Sequence, residues 1–197
     1  MKEKLIEEIL KYHPNFKEEE LNKGLEKFEF KNFKAKEIVL EAGKAADMLY
    51  FCQSSISRCF YLDNEGVEQT FWMKPEQTFI TEYKSFVNQA PSQFSLQFYE
   101  DTEAFCISRV DLLNLYKTTN DWAFFGTQLM EALHVVLIDV FVNLLANDAT
   151  RNYEYIEYMF PRFLQVAPLK DIASMLQMSP VSISRIRAGS QTKKITS

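Results

Sequence analysis

Near the C-terminus, Ser179, Val181, Ser182, Ser184, Arg185 and Arg187 crowd into nine residues of the stretch LKDIASMLQMSPVSISRIRAG. These side-chain types suit the reading of a polyanion. A guanidinium carries paired N–H donors that fit bidentately on the O6 and N7 edge of guanine. Serine hydroxyls reach phosphate oxygens, and valine packs on a thymine methyl. These six residues are therefore the candidate DNA contacts, with Arg185 as the base reader.

Such residues work only if a helix presents them. Ile172, Leu176, Met178, Ile183 and Ile186 are spaced to bury two short helices against each other, and Ala173 is small enough for a close crossing. Ser179 is placed to cap the second helix, and Pro180 suits its first turn. This is helix-turn-helix spacing. Its turn position, usually glycine, is Gln177, which can turn left-handed at a cost of about 1 kcal/mol. Charge agrees with the reading. The net charge is −5, yet residues 161–197 carry +5 and residues 1–160 carry −10. An acidic body with a basic end is the electrostatic pattern of a nucleic-acid binder.

Upstream, Trp122, Phe125, Leu129, Leu133, Val136, Val140 and Leu144 recur three or four apart. Asn120 or Asp121 can cap this helix, which runs to about Ala146. Phe124, Val135, Leu137, Ile138, Phe141, Val142 and Leu145 fall on its other faces. A helix apolar all round needs cover on several sides. A second copy supplies it, so the expectation is a homodimer with its seam through Phe125, Leu129, Leu133, Val136 and Val140. The apolar run from Ala132 to Ala146 is broken by His134, Asp139 and Asn143 and falls short of the ~20 residues of a membrane span. The charged start MKEKLIEEILKYH reads as an amphipathic helix, not a signal peptide, which places the chain in the cytoplasm with no membrane partner.

The front half has a different period. After short helices over 2–12 and 17–24, the runs KEIVLEAG, MLYFCQSSISRCFYLDNEGVEQTFWM, QTFIT, FSLQFY and EAFCIS are short β-favouring segments. Asp63-Asn64-Glu65-Gly66 marks a hairpin. Closely spaced strands of this kind form an antiparallel barrel or roll. With 47% hydrophobic residues, 17 Phe and only 5 Gly, the chain can fill a bulky core without disulfides. Cys52, Cys59 and Cys106 are scattered, with no metal-ligand spacing, and read as reduced core thiols. Enzyme fingerprints such as HExxH, GxSxG and the P-loop are absent, so the reading is a non-enzyme.

A β-rich front, a long helix and a C-terminal helix-turn-helix together resemble the Crp/Fnr family of bacterial transcription regulators. VAPLKDIASMLQMSPVSISRIR is the most specific piece and is similar to short-tailed, Bacteroidetes-type members. The resemblance implies an α+β chain in three parts. Residues 1–118 form a cyclic-nucleotide-binding-like jelly-roll sensor, 119–147 a dimerisation helix, and 148–197 an all-α DNA-binding domain. With ten residues after Arg187, the family's wing is truncated or absent. It also implies double-stranded DNA with a pseudo-palindromic site and RNA polymerase as partners.

The family's nucleotide cassette is altered here. Glu82 matches its ribose-binding glutamate. Thr81 and Lys84 replace glycines, and Ser92 stands where the phosphate-binding arginine belongs. A buried phosphate needs a charge-assisted partner or a ring of backbone N–H groups. The expectation is a chain that does not respond to cyclic AMP. Thr81, Glu82, Ser92 and Gln93 remain the candidate polar edge of an aromatic-lined effector pocket. Residues 1–51 hold no cysteine, and His13 and His134 are the only histidines, so neither an iron–sulfur cluster nor haem is expected. The alternative is a ligand-sensing or scaffold protein that has lost DNA binding.

Overall fold

The structure is a computed structural model that describes residues 2–195, with side chains through Ala188. Two helices, α1 (Glu3–Tyr12) and α2 (Glu18–Leu25), lead into eight strands. The strands are β1 (Glu29–Phe33), β2 (Ile38–Leu40), β3 (Met48–Cys52), β4 (Ser57–Leu62), β5 (Glu68–Lys74), β6 (Thr78–Ile80), β7 (Ser95–Phe98) and β8 (Thr102–Ser108). They form two antiparallel sheets in the orders β1-β8-β3-β6 and β2-β7-β4-β5. The mixed α+β architecture and the antiparallel roll are as expected.

Aromatic side chains fill the space between the sheets. Phe51, Phe79, Phe98 and Phe105 are fully buried, with ring contacts such as Phe33–Phe98 at 5.2 Å and Phe51–Phe79 at 5.3 Å. At the β4–β5 hairpin, Asp63 accepts the Glu65 and Val67 N–H groups, and Gly66 takes a positive φ of 79°. That conformation is open to glycine at little cost.

Between β6 and β7 lies a short helix, α3 (Tyr83–Asn88). After β8 come α4 (Arg109–Thr118), α5 (Asn120–Ala146), α6 (Ala149–Met159), α7 (Pro161–Val166), α8 (Leu169–Met175) and α9 (Pro180–Ile195). Strand β1 and helices α3, α4 and α7 were not expected from the sequence. Pro161 opens α7 as well as ending α6, because proline suits a first helical turn. Thr119 is the N-cap of α5, without a side-chain cap bond. Asp121, expected to cap, instead accepts the Lys17 N–H at 2.8 Å and sits 3.3 Å from His13.

Helix α5 is anchored at its start. Trp122 and Phe125 are fully buried, and the Trp122 indole donates to the Glu20 carbonyl at 2.7 Å. Gly24 on α2 lies flat against that indole, and a Cβ there would overlap it. Gly24→Ala is expected to cost about 1–3 kcal/mol, read by urea unfolding, because a packed core resists one added methyl.

A second core gathers under the C-terminal helices. Tyr153, Ile156, Phe163, Ile172, Ala173 and Ile183 meet Ile56 and Met73 of the roll. The two halves therefore share one packed surface.

Candidate nucleic-acid interface

Helices α8 and α9 are joined by a tight turn. Ile172, Ala173, Leu176 and Ile183 are buried as their spacing requires, and Met178 and Ile186 pack beside them. Gln177 adopts φ 54°, the left-handed conformation expected at that position. The Met178 N–H reaches the Ala173 carbonyl at 2.8 Å, and the Gln177 N–H reaches Ser174 at 3.0 Å. These are the paired bonds of a Schellman helix end. Ser179 Oγ accepts the Ser182 N–H at 3.1 Å and so caps α9. The backbone of α9 continues to Ile195.

Among the candidate contacts, Val181, Ser184 and Arg185 are exposed. Ser182 is half-buried, and its hydroxyl is bonded to Ser179 Oγ at 2.8 Å. Arg187 departs from its expected role. Its guanidinium donates to the Tyr153 hydroxyl at 3.0 Å and to the Leu164 carbonyl at 2.8 Å. It fastens α9 to α6 and α7 through Nε and Nη2, so those donors are not free for a phosphate or a base. Arg162 is likewise occupied, by Glu76, Glu100 and the Ser54 carbonyl. Part of the C-terminal charge excess is therefore structural, and Arg185 and Lys170 are the exposed cations of the described α8–α9 pair.

The long helix also departs from expectation. Phe125, Leu129 and Val140 are buried within their own chain, and Leu133 is half-buried. They cannot line a seam with a second copy. Val136 is exposed but lies on that same inward face. The opposite face is open: Val135, Ile138, Val142 and Leu145 all stand exposed. An all-round apolar helix carries no periodic signal telling its two faces apart, which is why spacing alone chose the inward one. By length and hydropathy α5 could also cross a membrane, since 27 residues exceed the ~20 required.

The four effector-edge residues are partly brought together. The Glu82 carboxylate caps α3 by accepting the Lys84 and Ser85 N–H groups, both at 3.0 Å. Ser92 Oγ lies 3.2 Å from Glu82 and donates to the Phe94 carbonyl at 2.7 Å. Thr81 donates to the Met48 carbonyl at 2.9 Å. Gln93 is exposed and stands apart from the buried Thr81 and Ser92. The polar groups satisfy one another. The space beside Thr81 amounts to about 10 Å³, and Phe33, Tyr50 and Phe98 fill the neighbouring interior. Cys59 and Cys106 are pushed up to about 12 by burial, so their thiols stay protonated.

No protein-family model matches the sequence, and no curated protein matches it. Solved structures do match. Catabolite activator protein of Thermus thermophilus is 20% identical, with a TM-score of 0.55 over 95% of this chain and 88% of that one. The c-di-GMP-responsive global regulator CLP of Xanthomonas campestris is 16% identical, with a TM-score of 0.62 over 90% and 93%. FixK2 of Bradyrhizobium japonicum is 16% identical, with a TM-score of 0.63 over 85% and 86%. The chain shares their fold. The first of these matches leaves only about a twentieth of this chain outside it, so it takes in most of the roll, the long helix and the C-terminal helices.

Proposed function

We propose that this chain is a dimeric, sequence-specific DNA-binding regulator of Crp/Fnr type that does not respond to cyclic AMP. The observation that carries the reading is α9. It is a capped helix held from behind by Arg187 and Ile183, and it offers Val181, Ser184 and Arg185 to solvent along one outer side. That is the presentation needed to enter a major groove. In a dimer, two such helices would meet half-sites ~34 Å apart. The cassette supports the second half of the proposal. Glu82 is engaged by its own helix, it pairs with no arginine among the described residues, and about 10 Å³ is far below the ~300 Å³ of small-molecule pockets.

The test is selection of binding sites from a random duplex pool by the ligand-free protein. An enriched palindrome supports the proposal, and its affinity should fall steeply with salt. No enrichment from a folded dimer would favour a sensor or scaffold that no longer reads DNA.

The two arginines separate cleanly. Arg185→Ala should relax base choice at one position and cost ~1–3 kcal/mol there. Arg187→Ala should leave base choice intact and instead lower the melting temperature, because it unties α9 from α6. Base preferences and melting curves measured on both variants decide the assignment. Relaxed base choice in Arg187→Ala would reverse it.

A further inference from the structure

Helix α5 has a gap along its inward face. Phe125 and Leu129 before it and Val140 after it are buried, yet Val136, on the same face, is 46% exposed. The body falls away there, leaving a cavity of about 210 Å³ between α5 and strand β5. Tyr12, Trp72, Leu133, Val136 and Phe160 are part of its wall, and Lys74 is its one charged lining residue. The Trp72 and Phe160 rings, both in its wall, meet edge to face at 6.3 Å.

Lys74 ends β5 without a carboxylate partner among the described residues. Among them it makes no ion pair, its ionisable neighbour is the Cys59 thiol, which stays protonated, and acids of adjoining elements are engaged elsewhere. Glu76 and Glu100 hold Arg162, while Glu8 holds Lys11 and the Tyr12 hydroxyl. An ammonium against apolar walls with no counter-charge is costly. Burial accordingly pulls the Lys74 amine below the usual lysine range, and no carboxylate offsets the shift. A ligand that brings an anion to Lys74 and apolar surface to Val136 and Leu133 would relieve both defects at once.

We infer that this cavity is a binding site for a small carboxylic acid with an apolar body, its carboxylate on Lys74 and its body between Trp72 and Val136. At ~30 Å³ per water, 210 Å³ is about seven waters, which suits an acid of octanoate or benzoate size. The site is separate from Thr81, Glu82 and Ser92, and it stands whether or not the chain reads DNA. Phe160 sits at the α6–α7 junction, so an occupant would touch the C-terminal helices directly.

The experiment is calorimetric titration of the full chain with octanoate, benzoate and the neutral octanamide. Saturable binding of either acid, one per chain, is expected. Lys74→Met, which keeps the apolar stem, should weaken acid binding tenfold or more while barely changing octanamide, since the lost contact is a charge-assisted hydrogen bond. Val136→Trp, which fills the gap without touching Lys74, should abolish binding of all three. No saturable binding by folded protein up to about 1 mM acid would overturn the inference. So would equal acid affinity in a folded Lys74→Met chain. Dissociation of a dimer by Lys74→Met, with no acid bound by the parent, would instead assign Lys74 to an interface between copies.

Discussion

Ile138→Asp combined with Leu145→Asp should leave the chain folded and break the proposed dimer. Val135, Ile138, Val142 and Leu145 recur at intervals of three, four and three, which is the seam pattern of a left-handed coiled coil. Ile138 is 45% exposed and Leu145 71% exposed, so neither is needed by the core of a single chain. A contiguous apolar stripe of this kind marks an interaction surface. Carboxylates introduced there would face each other across a two-fold seam, desolvated and like-charged, which an interface cannot absorb. Sedimentation velocity should show the loss of the dimer while circular dichroism stays unchanged. Affinity for a two-half-site DNA should drop by ~10²–10⁴-fold, the advantage of engaging two sites at once. Phe125→Ala is the contrast. It should cost about 3–5 kcal/mol of stability through a core cavity, because that ring faces Phe79, Trp122 and Tyr12. A dimer that survives both aspartates would move the seam off this face.

These two faces of α5 show where sequence reasoning reaches and where it stops. The α8–α9 pair was legible because its determinants are local. Five apolar positions, a cap at Ser179 and a left-handed turn at Gln177 all act within 18 residues. The roll was legible as a class, since strands and a hairpin announce themselves by period and turn residues. Its first strand was not. EFKNF mixes charge with aromatics and is a strand because β8 pairs with it from Glu29–Cys106 to Phe33–Thr102. Helix α4 escaped notice because only Leu112 and Leu115 are buried, too few to set a period, although Ser108 caps it through the Asp111 N–H. Arg187 and Arg185 look alike in sequence. Only the tertiary neighbours Tyr153 and Leu164 separate a tethered arginine from an exposed one. Lys74 carried no sequence signal, because lacking a counter-charge is a property of the fold.

Asp171→Ala should unseat helix α8 from the roll. Asp171 is 3% exposed, on the first turn of α8. Its carboxylate lies 3.3 Å from the Arg58 guanidinium and accepts the Tyr99 hydroxyl at 2.9 Å. Arg58 is itself buried, held by Gln97 at 2.8 Å and by Glu68, with Phe60 under its guanidinium at 4.2 Å. Beside this cluster, Ser174 Oγ accepts the Thr70 N–H at 2.8 Å and donates to Gln69 at 2.9 Å, tying α8 to the edge strand β5. Removing the carboxylate leaves the buried Arg58 with Glu68 as its remaining ion-pair partner and takes the acceptor from the half-buried Tyr99 hydroxyl. Breaking one partner out of such a pair costs about 3–5 kcal/mol, a large share of the ~5–15 kcal/mol that holds a domain together. The melting temperature should fall by roughly 6–20 °C. Hydrogen exchange should rise first in α8 and β5, where the tie is lost, and not in β1 or β8 on the other sheet. Replacing the pair jointly, Arg58→Met with Asp171→Leu, should recover much of the loss, since apolar packing often replaces a buried ion pair without penalty. Tyr99→Phe added to that double variant removes the remaining unpaired hydroxyl. Stability of Asp171→Ala within about 1 kcal/mol of the parent would mean that water already reaches Arg58, and that α8 rests on β5 through Ser174 and the apolar contacts of Ile172 and Met73 alone.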